Sequence, residues 1–257
     1  MDKTQYIPVH APVPGGVYSS VEKKPFVVAV EGPIGAGKTT YIEMISKQLT
    51  KEGWNVTVVK EPVDKWIQCG ILDLFYKDPI RWGYHFQTKA FHDRVTENIL
   101  AYEKYIPLAG GRFSMDVFIL ERSPFSDRIF MELLYEQGTI TKLEWDHHIE
   151  WWNMWMRLMP YTINLFVYLQ PGIDVCMIRL KERSRDEEVG VKRDYQLKLI
   201  ERHDKIFNNE FVILSETLSV PCVKLTTTVN YRDDVSVQVV LAKHFESTIN
   251  SFTQKAK

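Results

Sequence analysis

The stretch Gly32-Pro33-Ile34-Gly35-Ala36-Gly37-Lys38-Thr39 limits the fold of this chain more than any other. It satisfies G-x-x-x-x-G-K-[ST] at every fixed position, follows the apolar run Phe26 to Val30, and precedes a helical segment, Thr40 to Leu49. Strand, loop and helix in that order make a phosphate cradle. The glycines let the backbone curl until N–H groups and a helix N-terminus face an anion, Lys38 neutralises phosphate charge, and Thr39 offers a hydroxyl to Mg²⁺.

A cradle of this kind sits at the carboxyl edge of a parallel sheet, and the rest of the chain supplies one. Further strands are expected at Asn55 to Lys60, Met115 to Leu120, Ile163 to Leu169 and Val220 to Leu225, each separated from the next by enough chain for a helical crossover. Residues 85 to 105 read as one of the helices. The expectation is an α/β fold with a five-stranded parallel sheet flanked by helices, its ligands at the carboxyl ends of the strands. One domain, residues 25 to 250, accounts for most of the 257 residues. A flexible tail is expected at 1 to 24, where Pro8, Pro12, Pro14 and Gly15-Gly16 interrupt any periodicity, and a short one at 251 to 257.

Composition narrows the function classes. A net charge of −1 gives no long-range field to gather a polyanion, so no nucleic-acid partner is expected. No apolar stretch is long enough to cross a bilayer, and no basic segment with an apolar core opens the chain, which points to a soluble cytoplasmic protein without a membrane partner. Cys69, Cys176 and Cys222 are too dispersed for a disulfide framework or a thiolate metal site, and His147-His148 are helix neighbours facing different directions. The aromatic tract Trp145 to Met159 reads as a packed helix or a subunit contact rather than a base-stacking surface.

Chemistry collects just past the strands. Glu61, held beside Pro62, can orient a hydroxyl and accept its proton during attack on phosphorus. Glu121-Arg122 follows the third strand, placing a Mg²⁺ ligand next to a cation able to hold the acceptor. Arg179 and Arg183 share a helix face, with Arg185 in the turn beyond, so that a small closure delivers guanidinium groups to the transferring phosphate.

Together with Glu61-Pro62-Val63, Phe86-Gln87, Glu121-Arg122-Ser123 and Arg183-Ser184-Arg185-Asp186-Glu187-Glu188, the phosphate loop resembles the deoxynucleoside kinase family, especially its deoxycytidine and deoxyguanosine kinase branch, over about residues 25 to 245. The resemblance implies a P-loop kinase with an arginine-rich lid, using ATP or another nucleoside triphosphate with Mg²⁺. Glu61 becomes the base for the 5′-hydroxyl and Arg122 its positioning partner. Lys38, with the loop from Gly32 through Thr39 and Thr40, holds the donor phosphates. Thr39 and Glu121 organise Mg²⁺, and Arg179, Arg183 and Arg185 form the lid.

By the same resemblance Tyr76 and Glu188 bind the sugar 3′-hydroxyl, Gln87 reads the base edge, and Trp66, Phe86 and Phe118 enclose the ring. Arg94 and Asp127 match the charged pair of branches that accept amino-bearing bases. Arg232, in the late turn 230 to 233, is the candidate for the adenine of the donor. Pro33 stands where the family commonly has Asn, and the segment after Ser126-Asp127-Arg128 is read as one residue short, which leaves either Phe130 or Met131 facing the base. The expected activity is phosphorylation of deoxycytidine, deoxyadenosine or deoxyguanosine by a homodimer. A nucleoside-monophosphate kinase and a non-catalytic nucleotide-binding subunit are the competing readings.

Overall fold

The computed structural model describes residues 24–104, 116–185, 188, 190–213, 219–226, 231–232 and 234–254. Of the expected tails at 1 to 24 and 251 to 257, residues 1 to 23 and 255 to 257 lie outside them, as do Met115, Asp186, Glu187, Asn230 and Asp233. Six strands form one sheet in the order β2-β3-β1-β4-β6-β5. Five are parallel: β1 (Phe26–Glu31), β2 (Asn55–Val59), β3 (Asp116–Glu121), β4 (Leu165–Leu169) and β6 (Ser219–Leu225). The short β5 (Phe211–Ile213) runs antiparallel at the edge beside β6, an addition to the five expected strands.

Strand alternation sends the apolar side chains to two cores. On one face Val28, Val30, Ile119, Val167 and Leu169 pack against Tyr41, Ile42, Ile45 and Leu49 of α1 (Lys38–Lys51) and Phe245 and Ile249 of α9 (Val235–Gln254). The other face presents Val27, Ala29, Phe118, Leu120 and Phe166 to three helices: α4 (Pro79–Glu103) through Phe91 and Val95, α5 (Pro124–Glu136) through Phe125 and Ile129, and α8 (Arg193–Phe207) through Leu199 and Phe207. Each such buried side chain contributes roughly 1.5–3 kcal/mol, enough to hold the sheet rigid beneath its carboxyl rim. The helix α9 continues to Gln254, past the expected domain end at 250.

Further helices are α2 (Val63–Gln68), α3 (Ile71–Lys77), α6 (Lys142–Leu158) and α7 (Ile173–Arg183). The aromatic tract is helical as expected and divides by face. Trp152 of α6 is fully buried and donates its indole N–H to the Pro124 carbonyl at 2.8 Å, whereas Trp151, Met154 and Leu158 are exposed. No helix among the described residues is long and apolar enough to cross a membrane.

Candidate active site

The strands β1, β2 and β3 end together, so Glu31, Glu61 and Glu121 gather on one rim beside the phosphate loop. At that rim the loop bends through positive φ at Gly32 (151°), Gly35 (76°) and Gly37 (90°). Side chains would not fit there: a Cβ at Gly32 would meet the Leu169 carbonyl at 2.7 Å, and one at Gly37 would collide with the Tyr231 hydroxyl. The backbone oxygens are held from outside. Lys38 Nζ donates to Gly32 O at 3.2 Å and Pro33 O at 3.0 Å, Gln196 of α8 donates to Ile34 O, Arg179 donates to Ala36 O at 2.8 Å, and the Tyr231 hydroxyl donates to Gly37 O at 2.8 Å.

Beside this loop, α1 starts at Lys38 without a side-chain cap, with Thr40 half-buried in its first turn. Burial and then Arg122 lower the Lys38 ammonium to about 7, against the opposing pull of Glu61, Glu121 and Glu31. Thr39 Oγ1 donates to Glu121 Oε1 at 2.5 Å. A hydroxyl and a carboxylate in contact at the mouth of a phosphate loop are hard oxygen donors of the kind Mg²⁺ takes, so these residues fit that ion.

The chain turns from β3 into α5 through Arg122, which adopts φ 67° although it has a side chain, while its N–H still bonds Val30 O at 3.0 Å. Such a conformation costs on the order of 1–3 kcal/mol and persists only where the surroundings enforce it. Glu31 does so. Its wholly buried carboxylate accepts the Ser123 N–H at 2.8 Å, the Ser123 hydroxyl at 2.5 Å and the Ser126 hydroxyl, while Ser123 Oγ caps α5 by accepting from Phe125 N. Burial raises the Glu31 carboxyl, with the serine hydrogen bonds and Arg122 opposing.

Two guanidinium groups converge on one oxygen of Glu61: Arg94 Nη2 at 2.5 Å and Arg122 Nε at 3.3 Å. Burial pushes the Glu61 carboxyl up, but Arg122, Arg94 and Lys38 outweigh it and bring it down to about 2. Arg94 also joins Asp127 through Nη1, and Arg122 Nη1 bonds Ser126 Oγ at 3.1 Å. Burial lifts the Asp127 carboxyl to about 6 even with Arg94 beside it. Within this buried pair, Arg94 Nε and Asp127 Oδ2 have no hydrogen-bond partner.

Trp66 and Phe86 stand edge to face at 5.5 Å, Phe75 stacks on Phe86 at 4.8 Å, and Arg94 lies 5.8 Å over the Trp66 ring. Asp93 accepts the Trp66 indole N–H at 2.9 Å. Gln87 is buried on α4 two turns before Arg94, hence on the same face. Met131 packs into this aromatic cluster, whereas Phe130 lies under the Arg122 guanidinium at 5.0 Å, so the structure separates two residues that the sequence left interchangeable.

Phe118 stands apart from the Trp66–Phe86 cluster, in the sheet core against Tyr102 at 5.7 Å and Tyr161 at 6.0 Å, on the same strand face as Leu120. Arg179 reaches the phosphate loop and lies 5.5 Å over the Tyr231 ring. Arg183 and Arg185 both pair with Glu188, next to Tyr76, whose hydroxyl burial drives well upward with Tyr195 and Glu188 adding to the effect. Arg232 is exposed, adjacent to the buried Tyr231.

Known proteins share this chain's sequence over most of its length. The family model described as deoxynucleoside kinase matches residues 28–250. A probable deoxycytidine kinase of fowlpox virus is 35% identical over 214 residues, covering 82% of this chain and 83% of its own. Human deoxycytidine kinase is 29% identical over 248 residues, 86% and 91% of the two chains. Human mitochondrial thymidine kinase 2 is 33% identical over 181 residues, 68% and 61%. The chain belongs to the deoxynucleoside kinase family and is a phosphotransferase of that class. Membership implies the use of ATP with Mg²⁺ typical of these enzymes.

Proposed function

We propose that this kinase transfers the γ-phosphate of ATP to the 5′-hydroxyl of an amino-bearing deoxynucleoside, deoxycytidine foremost, with deoxyadenosine and deoxyguanosine as further substrates and the 5′-monophosphate as product. The observation that carries the reading is Glu61, clasped by Arg94 and Arg122 on the rim that also holds Lys38. A carboxyl at about 2 is a weak base. That suffices when the attacking hydroxyl loses its proton late, as in a loose phosphoryl-transfer transition state, and the carboxylate's first task is to aim the oxygen.

Arg122 steadies the acceptor and the developing charge. Lys38 and the loop from Gly32 to Thr40 hold the donor phosphates, and Thr39 and Glu121 would hold Mg²⁺, which would supply positive charge against those phosphates. Trp66, Phe86 and Met131 enclose the base, Gln87, Arg94 and Asp127 read its edge, and Tyr76 with Glu188 takes the 3′-hydroxyl. Arg179, Arg183 and Arg185 form the closing lid, with Arg179 already at the phosphate loop. Both buried arginines of the acceptor side are already matched by carboxylates, which favours an uncharged nucleoside over a monophosphate acceptor.

We further infer a homodimer in the cytoplasm. The side of α4 and α6 that would meet its twin exposes Trp151, Met154 and Leu158 next to a recess of about 120 Å³ lined by Tyr84, Phe91 and Trp155. Product analysis with purified protein, Mg²⁺ and labelled ATP tests the activity: labelled monophosphate is expected from deoxycytidine, and diphosphate formed only from an added monophosphate would reject it. Solution mass across a concentration series tests the dimer.

A further inference from the structure

Arg122 is the one acceptor-side cation whose backbone is strained, and a strained backbone does not fix where a long side chain ends. Three contacts do: Glu61 at Nε, and Ser126 Oγ and His203 at Nη1. His203 comes from α8, far along the chain, and is fully buried. Its ring is fixed on every side, stacked on Tyr168 at 6.3 Å and 12°, edge-on to Phe130 at 6.2 Å, and 6.2 Å from Phe207.

The tautomer follows from the neighbours. Nδ1 lies 2.8 Å from the Leu199 carbonyl, which can only accept, so Nδ1 carries the hydrogen. Nε2 is then a lone pair, and Arg122 Nη1 donates to it at 3.4 Å. Burial, with Arg122 adding to it, drives the imidazole well below its ordinary range, in keeping with an unprotonated ring. An imidazolium would present a second N–H and a like charge to the guanidinium.

We propose that His203 is a positioning residue for the transfer: its Nε2 lone pair and the flanking Phe130 hold the Arg122 guanidinium in the plane that faces Glu61. The ring does not touch substrate. Phe130, on the α5 face turned away from the base cluster, thereby gains a role distinct from that of Met131. The same helix α8 carries Gln196 to the phosphate loop, so one rigid element supports both the donor and the acceptor sides.

The inference rests on the proposed role of Arg122, and the test separates the two. His203→Leu, His203→Gln and His203→Asn are compared in the full-length protein, with Arg122→Ala as reference, by steady-state kinetics and thermal unfolding. Gln can set its amide oxygen near the Nε2 position, whereas Asn reaches only the Nδ1 position. His203→Leu and His203→Asn are expected to lower kcat roughly ten- to hundredfold, the scale of a misplacement of about 1 Å, with KM for ATP nearly unchanged. His203→Gln should recover most of the loss. A folded His203→Leu with normal kcat, or Asn performing as well as Gln, overturns the proposal, as does failure of all three to fold, which would make His203 a core residue only. If Leu alone fails to fold, the Gln and Asn pair decides. Normal turnover by Arg122→Ala would instead overturn the role of Arg122.

Discussion

The acceptor and donor sides of this site are built differently. On the acceptor side, Arg94, Arg122 and Asp127 are 4%, 3% and 1% exposed and joined through Glu61 into one buried network. On the donor side Arg183 and Arg185, the arginines proposed for the lid, keep 35% and 31% of their surface in water and, among the described residues, pair with one carboxylate, Glu188. Buried charges hold their geometry because any rearrangement strands a charge away from water, whereas half-exposed pairs exchange partners at little cost. Under the proposed assignment, the acceptor side is set before substrate arrives, and the lid is left for phosphate to recruit.

The strongest break of that contrast is Glu61→Gln. It keeps size and most packing but removes the charge that both arginines face, so kcat should fall on the order of 10²–10⁴-fold while ATP still binds. Near-normal turnover at saturating substrate would reject the assignment. Stability should respond with a definite sign. The carboxyl moves from 4.5 down to about 2 on folding, so its contribution is full above pH 4.5 and is lost as pH falls from there towards 2. Denaturant titrations should show the wild-type advantage over Glu61→Gln, on the order of 3 kcal/mol, shrinking across that acid window.

Next comes Arg94→Met, which leaves Asp127 buried without its partner and should cost about 3–5 kcal/mol in unfolding free energy. Adding Asp127→Ala removes the stranded charge, so the double variant should regain much of that loss. It should also shift kcat/KM from deoxycytidine towards thymidine by roughly tenfold or more, because the buried donor and acceptor that distinguish base edges are gone. A double variant with unchanged base preference would confine the pair to structural support.

How much of this could be read beforehand depends on what each residue has to satisfy. The phosphate loop was legible because its glycines and Lys-Thr pair occupy fixed spacings, and Glu61 and Arg122 because each follows an apolar strand directly. Glu31 also ends a strand, but its work is done by hydrogen bonds to serines that are distant in the chain. His203 and Gln196 sit in an amphipathic helix where a polar residue looks solvated, and no local pattern reports that each faces inward. Strand parity puts Phe118 on the core face with Leu120, which the resemblance alone does not report. The edge strand β5 is too short for its periodicity to be recognised.

On the donor side the expected pattern reverses. Arg183→Ala should leave stability within about 0.5–1 kcal/mol, as for other exposed ion pairs, yet lower kcat about tenfold or more because the lid acts as the phosphate centre closes. Deoxynucleoside binding should barely change. Equal losses in stability and turnover would mean that the lid is as prebuilt as the acceptor side, and the contrast between the two would be gone.

The smallest expected effect concerns a donor-side contact that is buried after all. Tyr231 is 3% exposed, and its hydroxyl reaches Gly37 O at 2.8 Å, at the point where the phosphate loop enters α1. Tyr231→Phe keeps the ring beneath Arg179 and its edge contact with Tyr41, so it removes a single hydrogen bond and little packing. That bond is worth about 1 kcal/mol. If the brace matters chiefly when phosphate is bound, the loss should appear as a roughly threefold to fivefold rise in KM for ATP, with kcat, the deoxynucleoside KM and the unfolding midpoint nearly unchanged. A fall in unfolding free energy of that size without any change in KM would place Tyr231 with the prebuilt core, and the border between rigid and recruitable parts would then run outside the phosphate loop.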